Sequence, residues 1–104
     1  MNLGQFTEPK LLIPRLLSEW WDSAISELSQ RLESAGRIEN SNAFTHAALT
    51  HESLVSSVLD EVAVPLARDK TVKELSFALG LSENGVRWNT SRMSSVNVVV
   101  LFAV

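Results

Sequence analysis

The sequence predicts a single α/β domain: a mixed β-sheet with helices packed on it. Three stretches carry that prediction. Residues 18–35 repeat apolar side chains at a helical period, residues 75–81 alternate with a period of two, and residues 96–104 are almost continuously apolar and β-branched. Helices first, then strands with a heavily apolar last one, is the pattern of a layered fold whose helices cover a sheet. At 104 residues the chain is short enough for one domain, 1–104, against a usual size of about 150. Apolar types at 45% and charged types at 20% describe a globular chain, not a disordered one.

The elements follow in order. Residues 1–9 show no periodicity and are expected to fray. Leu11-Leu12-Ile13 is cut by Pro14, which suits an edge strand or an extended lead-in. Ser18 can cap a helix through its hydroxyl, with Glu19 and Asp22 placing negative charge at the positive end of the dipole. Trp21, Ala24, Ile25, Leu28, Leu32 and Ala35 then mark the buried stripe, and Gly36 ends the helix because it tolerates the left-handed conformation. Asn40-Ser41-Asn42 is a second capping site, opening a short helix from Ala43 to Thr50.

His51 to Glu61 is less regular, and Val62-Ala63-Val64 before Pro65 reads as a compact strand. Leu75, Phe77, Leu79 and Leu81 alternate with Ser76, Ala78 and Gly80. The expectation is a strand whose large residues face the core and whose small residues lie close to another element. Glu83-Asn84-Gly85 reads as a turn, and Val96 to Val104 as a strand covered on both faces. The chain stops inside that strand, so either it is truncated or a partner supplies the missing layer.

Composition excludes several function classes. Nine Lys+Arg against 12 Asp+Glu give a formal charge of −3, and Arg68, Lys70, Lys73, Arg87 and Arg92 are scattered, so no nucleic-acid surface is expected. The absence of cysteine rules out disulfides, thiol catalysis and cysteine-ligated metals. Two histidines, with Asp60, Glu61 and Asp69 outside any ligand spacing, give no metal site, and no cofactor motif is present. There is no secretory leader, and Val98 to Val104 is too short to span a bilayer, so a cytoplasmic domain without membrane contact is expected. Trp20 and Trp21 are adjacent on a helix and point about 100° apart, so they cannot make one flat sugar platform. Trp21 fits the buried stripe, which leaves Trp20 as an interface candidate; Trp88 reads as packing and His46 as an ordinary helix residue.

An ordered set of motifs carries a resemblance. Ala35-Gly36-Arg37-Ile38 closes the first helix and Asn42-Ala43-Phe44 opens the second. His51-Glu52-Ser53, the stretch from Glu61 to Arg68 (Glu-Val-Ala-Val-Pro-Leu-Ala-Arg) and Asn84-Gly85-Val86-Arg87-Trp88 follow before the last strand. From Lys10 onward this resembles the enzyme IIA domain of the fructose/mannitol type, including the nitrogen-regulatory enzyme IIA, of the bacterial phosphotransferase system. The central stretch is similar to that family's Gly-Ile-Ala-Ile-Pro-His-Ala-Arg. The resemblance implies that family's fold without the C-terminal helices that follow its last strand. It also implies a site where the histidine after proline takes a phosphoryl group from a phosphohistidine carrier and passes it on.

This chain departs from the pattern at that site. Leu66 stands at the histidine position, and hydrocarbon cannot carry phosphate. The family's Gly-Ile-Gly-Asn-Gly loop maps onto Ser57, Val58, Leu59, Asp60 and Glu61, losing every glycine and gaining two acids that repel a phosphoryl dianion. The family's upstream arginine maps onto Thr50, or onto His51 if one residue is deleted; Arg68 alone stands where a basic group is expected. Arg68, His51, Ser56 and Ser57 are then a vestigial anion site, with no catalytic residue. The expected function is a non-catalytic regulatory module that binds a protein, either the phosphocarrier protein or a regulated target. The alternatives are an active phosphocarrier using His51, or a structural module that self-associates through Trp20 and the exposed C-terminal strand.

Overall fold

The computed structural model describes residues 2–88 and 94–104; Met1 and Arg92, both read above, lie outside them. A two-residue strand β1 (Leu12–Ile13) precedes helices α1 (Trp21–Ser34) and α2 (Ser41–Leu54). The short strands β2 (Val62–Ala63) and β3 (Leu66–Ala67) follow, and then the long strands β4 (Ser76–Arg87) and β5 (Ser95–Ala103). They form one mixed sheet in the order β1-β4-β5-β2, with β3 also on β5. β4 and β5 are antiparallel, and the other pairings are parallel.

Register sorts the side chains into two faces, because neighbouring Cα partners point the same way. Ile13, Gly80, Val99 and Ala63 form one row, Ala78 and Leu101 a second, and Ser76, Ala103 and Ala67 a third. All are buried. α1 and α2 lie on this face, where Ile25, Leu28, Leu32, Phe44 and Ala48 join one core with the strand residues. The opposite face carries Leu12–Leu79–Val100, Leu81–Val98–Val62 and Phe77–Phe102–Leu66. Each of those nine is at least partly exposed.

Two expectations are corrected here. The small residues of β4, not the large ones, face the core: helices can approach a sheet closely only where its side chains are short. A Cβ at Gly80 would stand 2.6–2.9 Å from three carbons of the buried Leu16 side chain. β5 is covered on one face rather than two, and because β4 takes one edge and β2 and β3 the other, it is not an exposed edge strand.

Local boundaries also differ from the sequence reading. Ser18 does not cap α1. Its hydroxyl and backbone N–H donate to Glu27 Oε1 at 2.7 and 3.0 Å, and the helix begins at Trp21 with Trp20 in the cap position. Asn40 caps α2, accepting from the Ala43 N–H at 3.0 Å, and that helix runs on to Leu54. Asn84-Gly85 does not reverse the chain. Gly85, at φ 89°, lies in a bulge of β4 between the Leu81–Val98 and Val86–Val96 pairs. The segment expected to fray holds two 3-10 turns, Leu3–Phe6 and Pro9–Leu11, and the Thr7 hydroxyl donates to the Phe77 carbonyl at 2.9 Å.

Two polar nodes tie the layers. Arg37 donates to Ser76 Oγ at 3.0 Å and to Glu8 Oε1 at 3.2 Å, joining the end of α1 to β4 and the N-terminal segment. Glu52, 4% exposed, accepts through Oε2 from Trp88 Nε1 at 2.9 Å, the Ser57 N–H at 2.7 Å and the Ser57 hydroxyl at 3.0 Å. Its Oε1 finds no partner among the described residues. Trp88 in turn packs against Trp21 at 6.3 Å between ring centroids.

Both constraints predict measurable costs. Gly80→Ala is expected to lower unfolding stability by about 1–3 kcal/mol through overpacking against Leu16. Glu52→Ala, which strands the Trp88 and Ser57 donors, is expected to cost about 2–4 kcal/mol. Urea denaturation followed by tryptophan fluorescence reads both.

Candidate functional site

His51, Ser56, Ser57, Leu66 and Arg68 lie along one connected path: the end of α2, the loop to β2, and the stretch through β3 to Arg68. α2 packs against β3, which brings the last helical turns beside the strand that carries Leu66. His51 lies in the last turn of α2, exposed, and its carbonyl accepts from the Val55 N–H at 3.0 Å to end the helix. His46 is exposed two turns before the helix end.

The loop spends its own hydrogen-bonding groups. The Ser57 N–H goes to Glu52, the Val58 N–H to Ser56 Oγ at 3.3 Å, and the Val64 N–H to Ser57 Oγ at 2.9 Å. Leu59 and Val62 exchange backbone bonds at 2.9 and 3.1 Å, closing a tight turn with Asp60 and Glu61 at its tip. Asp60 has φ 55°, a conformation that Asp and Asn accept more readily than most side chains. The Glu61 carbonyl accepts from Asn97 at 2.8 Å and Val98 at 3.2 Å, which fixes the turn to β5. A cradle for phosphoryl oxygens needs unpaired N–H groups pointing outward. Here those of Ser57, Val58, Leu59, Val62 and Val64 all bond within the protein, and two carboxylates stand at the tip.

Leu66 is 37% exposed and sits opposite Phe102, whose ring lies 5.5 Å from that of Phe77. The carbonyls on either side of it bind β5: Pro65 accepts from Phe102 at 2.9 Å and Ala67 from Val104 at 3.0 Å. Its side chain thus belongs to the uncovered apolar face. Arg68 stands two residues beyond Leu66, exposed and without an ion pair among the described residues. Of the four vestigial-site residues, Ser57 is held by Glu52, Ser56 caps the loop, and His51 and Arg68 face solvent. Trp20 is 46% exposed, with the Arg87 guanidinium 5.2 Å from its ring centroid.

Glu52 is the residue that sequence reasoning did not single out. A signal was present, since Phe44, Ala48 and Glu52 recur at intervals of four and share the buried side of α2. A carboxylate in an apolar stripe implies a buried partner, and Trp88 and Ser57 supply it. A depression of about 450 Å³ lies at the start of α2 among Glu39, Asn40, Ala43, Asp69, Lys70 and Thr71, and its lining includes none of His51, Ser56, Ser57, Leu66 and Arg68. Among the described residues no group of three His, Cys, Asp or Glu is placed to hold a metal ion, and no helix is long and apolar enough to cross a membrane.

Comparison with known proteins places this geometry. The family model described as phosphoenolpyruvate-dependent sugar phosphotransferase system, EIIA 2, matches residues 5–104. The chain is 31% identical, over 106 aligned positions, to the PTS system 2-O-alpha-mannosyl-D-glycerate-specific EIIABC component of Escherichia coli (strain K12). That match covers all of this chain and 16% of the relative, so this chain spans a small part of the relative's length. Nitrogen regulatory protein IIA-Ntr from Neisseria meningitidis superimposes with a TM-score of 0.83 at 16% identity, covering 96% of this chain and 68% of that one. IIA mannitol from Escherichia coli gives 0.80 at 19%, covering 98% and 71%. The complex of enzyme IIAMTL with phosphorylated enzyme IIBMTL from Escherichia coli also gives 0.80 at 19%, covering 92% and 68%. The solved structures share the fold: a mixed sheet with two helices packed on it. On the match across residues 5–104, the chain belongs to the EIIA 2 family of the phosphoenolpyruvate-dependent sugar phosphotransferase system.

Proposed function

We propose that this chain is an enzyme IIA-like domain that takes no phosphate at the family's usual position and works by binding a protein partner in the cytoplasm. The observation that carries this reading is Leu66, which follows Pro65 where the family's motif has its histidine. Phosphoryl transfer between carriers needs a nucleophilic nitrogen, donors for the three phosphoryl oxygens and a compensating cation. At this position there is a butyl group on an apolar sheet face. The loop's paired N–H groups and the carboxylates of Asp60 and Glu61 support the same conclusion, since neither welcomes a dianion.

The partner in this reading is a protein of the same relay, a phosphocarrier or an enzyme IIB-like domain, or a target that the domain regulates. A mannitol-type IIA is known in complex with phosphorylated IIB, and the fold is shared with a nitrogen regulatory protein. Binding of that kind does not require the bound domain to accept phosphate. His51 is the residue through which an active carrier would have to operate, since it is exposed on the helix that packs against β3.

A domain without an acceptor does not read the phosphorylation state of its partner. Calorimetric titration of the chain with mannitol-type enzyme IIB is expected to give dissociation constants within about twofold for the phosphorylated and unphosphorylated forms. A difference of about tenfold, with loss of phosphate from enzyme IIB and a matching gain by this chain, would overturn the proposal.

A further inference from the structure

We infer that the Asn84–Gly85 pair in the β4 bulge is a site of self-modification. The Gly85 amide nitrogen attacks the Asn84 side chain and leaves an aspartyl or isoaspartyl residue. The inference rests on the bonding of the bulge and is independent of the function proposed above. Residues 82–85 fall between the Leu81–Val98 and Val86–Val96 pairs, opposite Asn97 alone, so none of the four has a partner in the β4–β5 register. The Gly85 N–H donates to Ser82 Oγ at 3.0 Å, within the bulge and not to β5. The Asn84 side chain makes no hydrogen bond among the described residues, so its amide is free to turn toward the next nitrogen.

The other asparagines lack this combination. Asn84 alone precedes a glycine. Asn40 Oδ1 is held by the Ala43 N–H at 3.0 Å, and Asn97 Nδ2 donates to the Ser82 carbonyl at 2.8 Å. A side chain on the following residue crowds the attacking nitrogen, and glycine has none. At Gly85 the fold itself demands that residue: φ is 89°, and a Cβ there would run into Ser95 Oγ.

The reaction balances with water as its single co-reactant. The Gly85 nitrogen bonds to Asn84 Cγ and gives up its proton, the Cγ–Nδ2 bond breaks, and ammonia leaves, closing a succinimide ring. Water then opens the ring. Cleavage at Cγ leaves an aspartyl residue, and cleavage at the main-chain carbonyl leaves an isoaspartyl residue. The first step needs no access from outside, because both reacting groups lie in consecutive residues. Either product adds one negative charge to the net −3. The bulge is tied to the acidic turn through Asn97, whose backbone N–H donates to the Glu61 carbonyl at 2.8 Å. Ageing of the pair therefore makes the Asp60–Glu61 end of the sheet more acidic. The extra main-chain carbon of the isoaspartyl form falls in the bulge, outside the paired residues of β4 and β5.

Incubation of the folded chain under mildly basic conditions at physiological temperature tests the reaction, read by chromatography and mass spectrometry of the tryptic peptide 74–87. A guanidinium-unfolded sample sets the rate of the bare sequence, and circular dichroism checks the fold. The peptide from the folded chain is expected to yield two products of equal mass, each heavier by the exchange of an amino group for a hydroxyl. Its rate is expected to lie within about tenfold of the unfolded sample, since the bulge stands outside the ladder. Asn84→Gln is expected to leave the peptide unchanged; should that variant fail to fold, the ratio of rates in the native chain decides. A folded chain that stays unmodified while the unfolded one reacts would overturn the inference. So would an aspartyl product alone, or the same mass gain in Asn84→Gln.

Discussion

The antiparallel register of β4 on β5 decides where everything else in this molecule can go. With Phe77 opposite Phe102 and Gly80 opposite Val99, Ser76, Ala78 and Gly80 fall on one side and Phe77, Leu79 and Leu81 on the other. A slip of one residue would exchange the two sets. The short side chains let Leu16, α1 and α2 close down on the sheet, and Leu101, Val99 and Val96 provide the bulk that the core needs from β5. The long side chains are left on the face without helices. β2 and β3 inherit the same division, so Ala63, Pro65 and Ala67 turn inward and Val62, Val64 and Leu66 outward.

The chemistry of the site follows from that geometry and from one buried carboxylate. Glu52 holds Ser57, Ser57 holds the backbone of Val64, and the loop between α2 and β2 is drawn tight against the end of the sheet. A tight loop with its N–H groups paired is a good connector and a poor phosphate cradle. Leu66, two residues beyond Val64, adds its side chain to a hydrophobic face opposite Phe102. On the function proposed above, the scaffold of the family is kept while the position of its histidine is taken by Leu66.

Much of this was legible in the residues because the signals were local. The helical stripe from Trp21 to Leu32, the stop at Gly36, the cap at Asn40 and the β-branched last strand each follow from short-range preferences, and the motif order pointed to the family. What was not legible depends on which layer lies above a strand. Alternation in residues 75–81 shows that β4 has two unlike faces but not which face the helices choose. The usual preference for large residues inside gave the wrong answer, because close helix approach selects small ones. Ser18 has the chemistry of a cap, but its hydroxyl donates instead to Glu27, nine residues on within α1. Asn84-Gly85 has the residues of a turn and forms a bulge instead, because the strand continues pairing beyond it. At the site, the Pro65-Leu66 pair stands open in the sequence, whereas the role of Glu52 depends on Trp88, 36 residues away.

The central claim is that no nitrogen in this chain takes up phosphate where the family's histidine does. Incubation with the phosphorylated histidine carrier and a phosphodonor, followed by intact-mass measurement under mildly basic conditions, puts it to the most direct test. The account predicts an unchanged mass for the chain alongside a fully charged carrier. An acid-labile gain of one phosphoryl group, lost again in His51→Ala, would contradict it.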